Sequence, residues 1–294
     1  MTPLIECVPN FSEGRDERVL AALRAAVDET PGVGLLDQTS DVDHHRSVLT
    51  FAGRAEAVVE AAVRLAGVAA ANIDLRRHTG VHPRIGAMDV CPLVPLRGVT
   101  LEQCAELAHW LGGRIWLEHD VPVYFYEAAA LEEGRRKLED VRRGAVRGEL
   151  APDLGGPAFH PSAGAAVVGA RKFLIAFNIN LESSDVTVAR EIAKTIRESS
   201  GGLPAVKALG LHLEQEDLAQ VSMNLVDFEV TPVERVYQVV EQLAGSLGVG
   251  IQESELIGLA PAAALDEDLA ERIKLRDWSP AMILENRIAT LHLD

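Results

Sequence analysis

Along residues 220–225 apolar Val221, Met223 and Leu225 alternate with polar Gln220, Ser222 and Asn224, a two-residue period that predicts a half-buried strand. Just before it, "FLIAFNINL" (residues 173–181) reads as another strand. "SSD" then offers helix caps ahead of Val188, Ile192 and Ile196, an i, i+4, i+8 stripe. "VKALGLHL" is a further strand candidate. In "TPVERVYQVVEQLAGSLG", Thr231 as N-cap, Pro232 in the first helical position and Glu234 as capping-box partner predict a helix striped by Val236, Val240, Leu243 and Leu247. "IQESELIGL" closes the series as a strand. The order β-α-β-β-α-β is that of a ferredoxin-like antiparallel sheet with both helices on one face.

The first half repeats this theme with additions: strands near residues 4–9, 33–37 and 47–51, and helices over 16–28 and around Val58, Val59, Ala62 and Val63. Strands at 88–95 and 121–126 follow, separated by a helix from Leu101. Residues 151–166, "APDLGGPAFHPSAGAA", have the glycine and proline content of a linker or loop. The pattern predicts an α+β protein of two ferredoxin-like (βαββαβ) subdomains, residues 1–168 and 169–294, with a ligand cleft where they face each other.

At 294 residues and 48% hydrophobic content the chain can build such cores, and with aromatics at 4% they consist mostly of Ala, Val, Leu and Ile. A formal charge of -16 argues against a general nucleic-acid binder, which needs lysines and arginines to neutralise phosphates. Cys7, Cys91 and Cys104 show no paired spacing, which predicts free thiols in a reducing compartment and no zinc site. The start lacks a basic stretch leading into a long apolar one, and no apolar run reaches the ~18 residues of a membrane span. The expectation is a soluble, cytoplasmic protein without a membrane partner.

Three clusters carry candidate chemistry. In "HTGVHPRIG", residues 78–86, His78 and His82 have the i, i+4 spacing of paired metal ligands, but Gly80 and Pro83 oppose a continuous helix. Gly80 and Gly86 are too few for a phosphate loop. A positioned loop histidine beside Arg84 fits either a general base or a structural role. "SDVDHHRSVLTF" resembles the motif of the manganese-dependent DHH phosphoesterases, though no further aspartate motif follows; Arg46 is the candidate there, for orienting or binding an anion. Arg135, Arg136, Lys137, Arg142, Arg143 and Arg147, interleaved with acids, read as a solvated helix or as an attractor of carboxylates.

Together "ECVPNFSEG", "HTGVHPRIGAMDVCPLVP", "VPVYFYEAA", "GARKFLIAFNINL", "SSGGLPAVKALG" and "LAQVSMNLVDFEVTP" resemble the glutamate formimidoyltransferase family, in order and up to about Pro261. The resemblance implies two α/β subdomains facing each other across a folate tunnel, usually in a homodimer. It implies transfer of a formimino group from N-formimino-L-glutamate to N5 of tetrahydrofolate, the co-substrate, with release of glutamate in histidine degradation. It implies no metal. The family's general base falls on His82, and its folate contacts on Gly155, Ala158, Phe159, Pro161, Ser162 and Gly164. A second folate stretch falls on Gly201, Gly202, Leu203, Pro204, Ala205, Val206, Lys207, Ala208, Leu209 and Gly210. Val81, His45 and Ala163 depart from the animal pattern, which has an acid, an asparagine and a tryptophan there.

Charge adds Arg46 and Arg84 as partners for the glutamate carboxylates and Lys207 for the folate tail. Three alternatives stand beside this reading: formyl transfer on the same site, a DHH-type phosphoesterase, and a folate-binding protein without catalysis.

Overall fold

A computed structural model describes all residues except 1, 43, 80–83, 215 and 292–294. The chain divides into two compact units, the first ending at Arg171 and the second spanning Lys172–Thr290, with Leu291 grouped with the first. Both are mixed α and β.

In the first unit the strands are β1 (Leu4–Cys7), β2 (Asn10–Phe11), β3 (Val33–Asp41), β4 (Arg46–Gly53), β5 (Met88–Arg97), β6 (Val123–Glu127) and β7 (Ala166–Ala170). The helices are α1 (Glu17–Asp28), α2 (Ala55–Asn72), α3 (Leu101–His119) and α4 (Leu138–Val146). β1 and β2 lie end to end between β4 and β5, β3 flanks β4, and all these pairs are antiparallel. β7 and then β6 extend the sheet beyond β5 in parallel.

Alternation within strands separates two faces. Ile5, Cys7, Leu49, Phe51, Leu93 and Phe125 pack with α1, α2 and α3 into the main core. Tyr124 and Tyr126, one residue out of step, join Val141 and Ala145 of α4 in a smaller cluster. Asp16 caps α1 by accepting the Arg18 N–H, and Thr100 with Gln103 forms a capping box on α3.

The second unit contains β8 (Ile175–Leu181), α5 (Val186–Ile196), β9 (Val206–Leu213), β10 (Leu218–Leu225), α6 (Val233–Ser246), β11 (Ile251–Ile257), α7 (Glu267–Arg272) and α8 (Leu284–Ala289). Its sheet order is β11-β8-β10-β9, all antiparallel. The same arrangement appears in the first unit with β5, β1, β4 and β3 in the corresponding places. Val221, Met223 and Leu225 are buried, as their alternation predicts, and Asp185 caps α5.

Several sequence expectations need correction. Residues 166–170 form β7, so the first unit runs to Arg171 rather than residue 168, and the 151–166 loop belongs inside that unit instead of linking two. Pro232, not Thr231, is the N-cap of α6, which has no side-chain cap; the Thr231 hydroxyl donates to the Pro204 carbonyl at 2.6 Å instead. Leu247 lies just past that helix and is 39% exposed. Nor is the cationic run solely a solvated face. Arg135 pairs with buried Asp153 at 2.8 Å, and Arg142 reaches Asp89. No helix among the described residues is long and apolar enough to cross a membrane.

Candidate functional site

The ends of β2 and β5 are tied together by Ser12, whose N–H donates to the Ala87 carbonyl at 2.8 Å and whose hydroxyl donates to that of Gly86 at 2.7 Å. Next in sequence, Glu13 Oε1 accepts the backbone N–H groups of Gly14, Arg15 and Asp16 at 2.8–3.0 Å and meets His45 Nε2 at 2.9 Å. Burial alone raises the Glu13 carboxyl, but these donors outweigh it and hold the group below the usual carboxylate range. His45 is thereby fixed in a left-handed turn and stacks on His78 with ring centroids 4.1 Å apart.

His78 Nε2 lies 3.1 Å from the His45 carbonyl, and both ring nitrogens lie against Arg84 Nη1. Burial, then the charge of Arg84 and that of His45, push its pKa below the ordinary histidine value. Arg84 also donates to the His44 and His45 carbonyls at 3.0 and 3.3 Å, locking this turn to the start of β5.

Arg46 enters β4 and donates from Nε to Asn10 Oδ1 at 3.1 Å, with a shorter contact from Nη2. Burial pushes its pKa down to about 10; Asp89 opposes the shift, while Arg142 and Arg84 add to it. Asp89, 2% exposed, accepts the Ile85 N–H at 2.8 Å on one oxygen and Arg142 Nη2 on the other. Three guanidinium groups therefore share one carboxylate's field.

The 155–164 loop closes against this loop-strand junction. Gly164 (φ +72) and Gly86 come so close that a Cβ on the former would lie 2.1 Å from the Ile85 carbonyl oxygen and one on the latter 2.1 Å from that of Ala165. Only glycine tolerates such an approach. His160 Nδ1 gathers the N–H groups of Ser162 and Ala163 at 3.3 and 3.0 Å, and Leu75 N–H reaches the Ser162 carbonyl at 2.9 Å. The result is a cavity of about 530 Å³ whose wall includes His78, Arg84, Phe159, Pro161, Ser162 and Gly164.

Of the residues predicted from sequence, Arg84, Phe159, Pro161, Ser162 and Gly164 meet at this cavity, and Arg46 lies within the electrostatic reach of Arg84. Gly155 packs against Trp116 and Pro122, and Ala158 is exposed. His82 lies outside the described residues. The 201–210 stretch belongs to the second unit. There Gly202 and Gly210 touch α5 too closely for a Cβ, Val206 and Ala208 enter the core, and Lys207 and Leu209 are exposed.

Sequence reasoning missed Glu13, Asp89 and His160, and it named Arg142 only as one member of the cationic run. An acid inside the apolar run "AMDVCPLV" was a readable signal for Asp89; nothing local separates Arg142 from Arg143. In the DHH-like cluster, Asp41 and His44 pair with each other at 3.0 Å, and His45 serves Glu13.

The chain is thus an α+β protein with the arginine side chains of Arg76 and Arg84 on the wall of a concave cavity. The chain belongs to the formiminotransferase family: residues 4–171 match the model of its "Formiminotransferase domain, N-terminal subdomain" and residues 176–272 that of its "Formiminotransferase domain". It is 41% identical to the glutamate formimidoyltransferase of Streptococcus pyogenes serotype M1, over 98% of this chain and 99% of that one. With the glutamate formimidoyltransferase of Thermoplasma acidophilum it shares 40% identity, covering 97% of each. The formimidoyltransferase-cyclodeaminase of Gallus gallus is 46% identical over 90% of this chain, which spans 51% of that longer protein.

Proposed function

We propose that this protein is an enzyme that moves a formimino group from N-formimino-L-glutamate to N5 of tetrahydrofolate and releases glutamate. Similarity to a glutamate formimidoyltransferase over nearly the whole of both chains carries the reading, and the cavity with Arg76 and Arg84 on its wall supports it. Tetrahydrofolate is the co-substrate and no metal takes part. Each unit is a ferredoxin-like subdomain, and the protein acts as a cytoplasmic homodimer that binds folate.

The formimino carbon is an amidine carbon, electrophilic when protonated, and N5 is a secondary amine that loses a proton as it attacks. His82 takes that proton and returns one to the departing glutamate nitrogen, a role worth ~10²–10⁴ in rate. Arg46 and Arg84 receive the donor's carboxylates. Phe159, Pro161, Ser162 and Gly164 contact the folate, and the family resemblance assigns it Lys207 and its neighbours in the 201–210 stretch as well. His78, held against Arg84 through both ring nitrogens, orients that side chain.

His82→Ala should lower kcat by at least about two orders of magnitude with an unchanged circular-dichroism spectrum. Activity within a few-fold of wild type removes His82 as the base. Offering tetrahydrofolate with formiminoglutamate and with N-formylglutamate in turn, and measuring glutamate release, separates formimino from formyl transfer.

A further inference from the structure

The loop sequence "HPSAG", residues 160–164, has the form of a capped turn: a side chain with an acceptor, then proline in the first turn position, then a closing glycine. Proline fixes its own φ and keeps the residue before it out of the helical region, which is the backbone setting of an N-cap. Asparagine, aspartate or serine is usual there. Here it is His160, whose Nδ1 accepts the N–H groups of Ser162 at 3.3 Å and Ala163 at 3.0 Å. No backbone carbonyl among the described residues accepts either N–H, and Ala163 is buried. A buried N–H that loses its acceptor is costly, so the imidazole holds the turn in shape.

The turn is also part of the cavity. Reciprocal backbone bonds between His160 and Gly164, at 2.9 and 3.0 Å, close it. Its Ser162 carbonyl accepts the Leu75 N–H at 2.9 Å, and its Ala163 carbonyl accepts that of Ala87 at 2.8 Å. Phe159, His160, Pro161, Ser162 and Gly164 all lie on the cavity wall, so a change of shape in the turn changes the cavity. An imidazole accepts at Nδ1 only while that nitrogen carries no proton. Protonation places an N–H where two others already point, and the turn loses both bonds together. Among the described residues the other titratable or charged side chains on this wall are Arg76, His78 and Arg84; α4 adds only Val146. Arg76 is held by Asp74 at 2.7 Å, and His78 lies against Arg84.

We propose that His160 is a positioning residue of the cavity: its neutral imidazole caps the 161–163 turn, and its protonation undoes the cap and weakens tetrahydrofolate binding at acid pH. The identity of that ligand rests on the formimino-transfer reading, whereas the acid-labile turn does not.

The test takes the full chain as wild type, His160→Asn and His160→Ala through calorimetric binding of tetrahydrofolate and hydrogen–deuterium exchange of the ligand-free protein, each between pH 8 and pH 5.5. Asparagine carries Oδ1 as many bonds from the backbone as Nδ1 is in histidine, and it accepts the same N–H groups without titrating. At pH 8 His160→Asn should bind within about threefold of wild type. His160→Ala should bind at least about tenfold more weakly and exchange faster at Ser162 and Ala163. Towards pH 5.5 the wild-type affinity should fall relative to that of His160→Asn by up to about tenfold per pH unit. Its exchange at those two amides should approach that of His160→Ala. Tetrahydrofolate, His78 and His82 titrate in both proteins and cancel from the ratio. Parallel wild-type and His160→Asn pH profiles, in exchange or in binding, overturn the proposal, as does unchanged exchange in His160→Ala. Wild-type protein whose turn opens with acid but which binds no tetrahydrofolate at any pH overturns the formimino-transfer reading instead and leaves the His160 cap standing.

Discussion

Glu6 sits in β1 between Ile5 and Cys7, which face the main core, so its carboxyl projects from the opposite face of the sheet. It is 1% exposed, and Oε2 has no hydrogen-bond partner among the described residues. Burial pushes its pKa up to about 7, against the pull of Arg171. The folded state thus holds a proton that the unfolded chain releases near its ordinary value of 4.5. Stability falls as pH rises from about 4.5 to about 7 and stays lower above, by about 3 kcal/mol for this group. Glu6→Gln removes the titration. Its urea midpoint should match wild type near pH 4.5 and exceed it at pH 8; parallel pH profiles would show that Glu6 is not the group responsible. An acid within "LIECV" was visible as an anomaly in the sequence, whereas its surroundings were not. The same holds for Cys7 and Cys91, 84 positions apart along the chain yet with sulfurs 3.4 Å apart, because the β1–β5 pairing that joins them is a matter of topology rather than spacing.

At the scale of elements, periodicity located most helices and strands, and side-chain caps such as Asp185 fell where short polar residues precede an apolar stripe. It failed at α6 because Thr231 found a tertiary partner, the Pro204 carbonyl, that competes with the local cap. It failed at β7 because a short Ala, Val and Gly strand flanked by loop residues carries no alternation when both faces are buried. In the sequence the loop glycines read as linker or loop composition, with Gly155 and Gly164 as folate contacts by resemblance, while the structure distinguishes them by their surroundings. Gly156 (φ +76) has open space around its Cβ position, and Gly164 (φ +72) has the Ile85 carbonyl oxygen 2.1 Å away. Gly156→Ala should therefore cost about 1 kcal/mol, from backbone conformation alone. Gly164→Ala must also part the loop from β5 and should cost at least 2–3 kcal/mol in urea unfolding, with a raised KM for tetrahydrofolate. Equal costs at the two positions would mean that the close approach to Ile85 is not maintained.

Across the whole molecule, the repeated βαββαβ order was legible because each copy alternates strand and helix periods within its own half. The extension of the first copy by α3, β6, α4 and β7 was not assembled from sequence, since its parallel strands join only through long crossovers. The cavity lies within the extended copy, where residues 84 and 85 meet the 159–164 loop and α4. Each unit has its own main core: Phe51 belongs to the first and Phe177 to the second, both essentially without exposure, and the two clusters share no residue. Cores with no common side chains respond independently to distant mutations. Scanning calorimetry should accordingly resolve two transitions, or one broad envelope whose van't Hoff enthalpy is well below the calorimetric value. Phe51→Ala and Phe177→Ala, each costing ~3–5 kcal/mol, should each lower one transition by on the order of 10 °C and leave the other within a degree or two. A single sharp transition lowered equally by both would instead mean that the units unfold as one cooperative body.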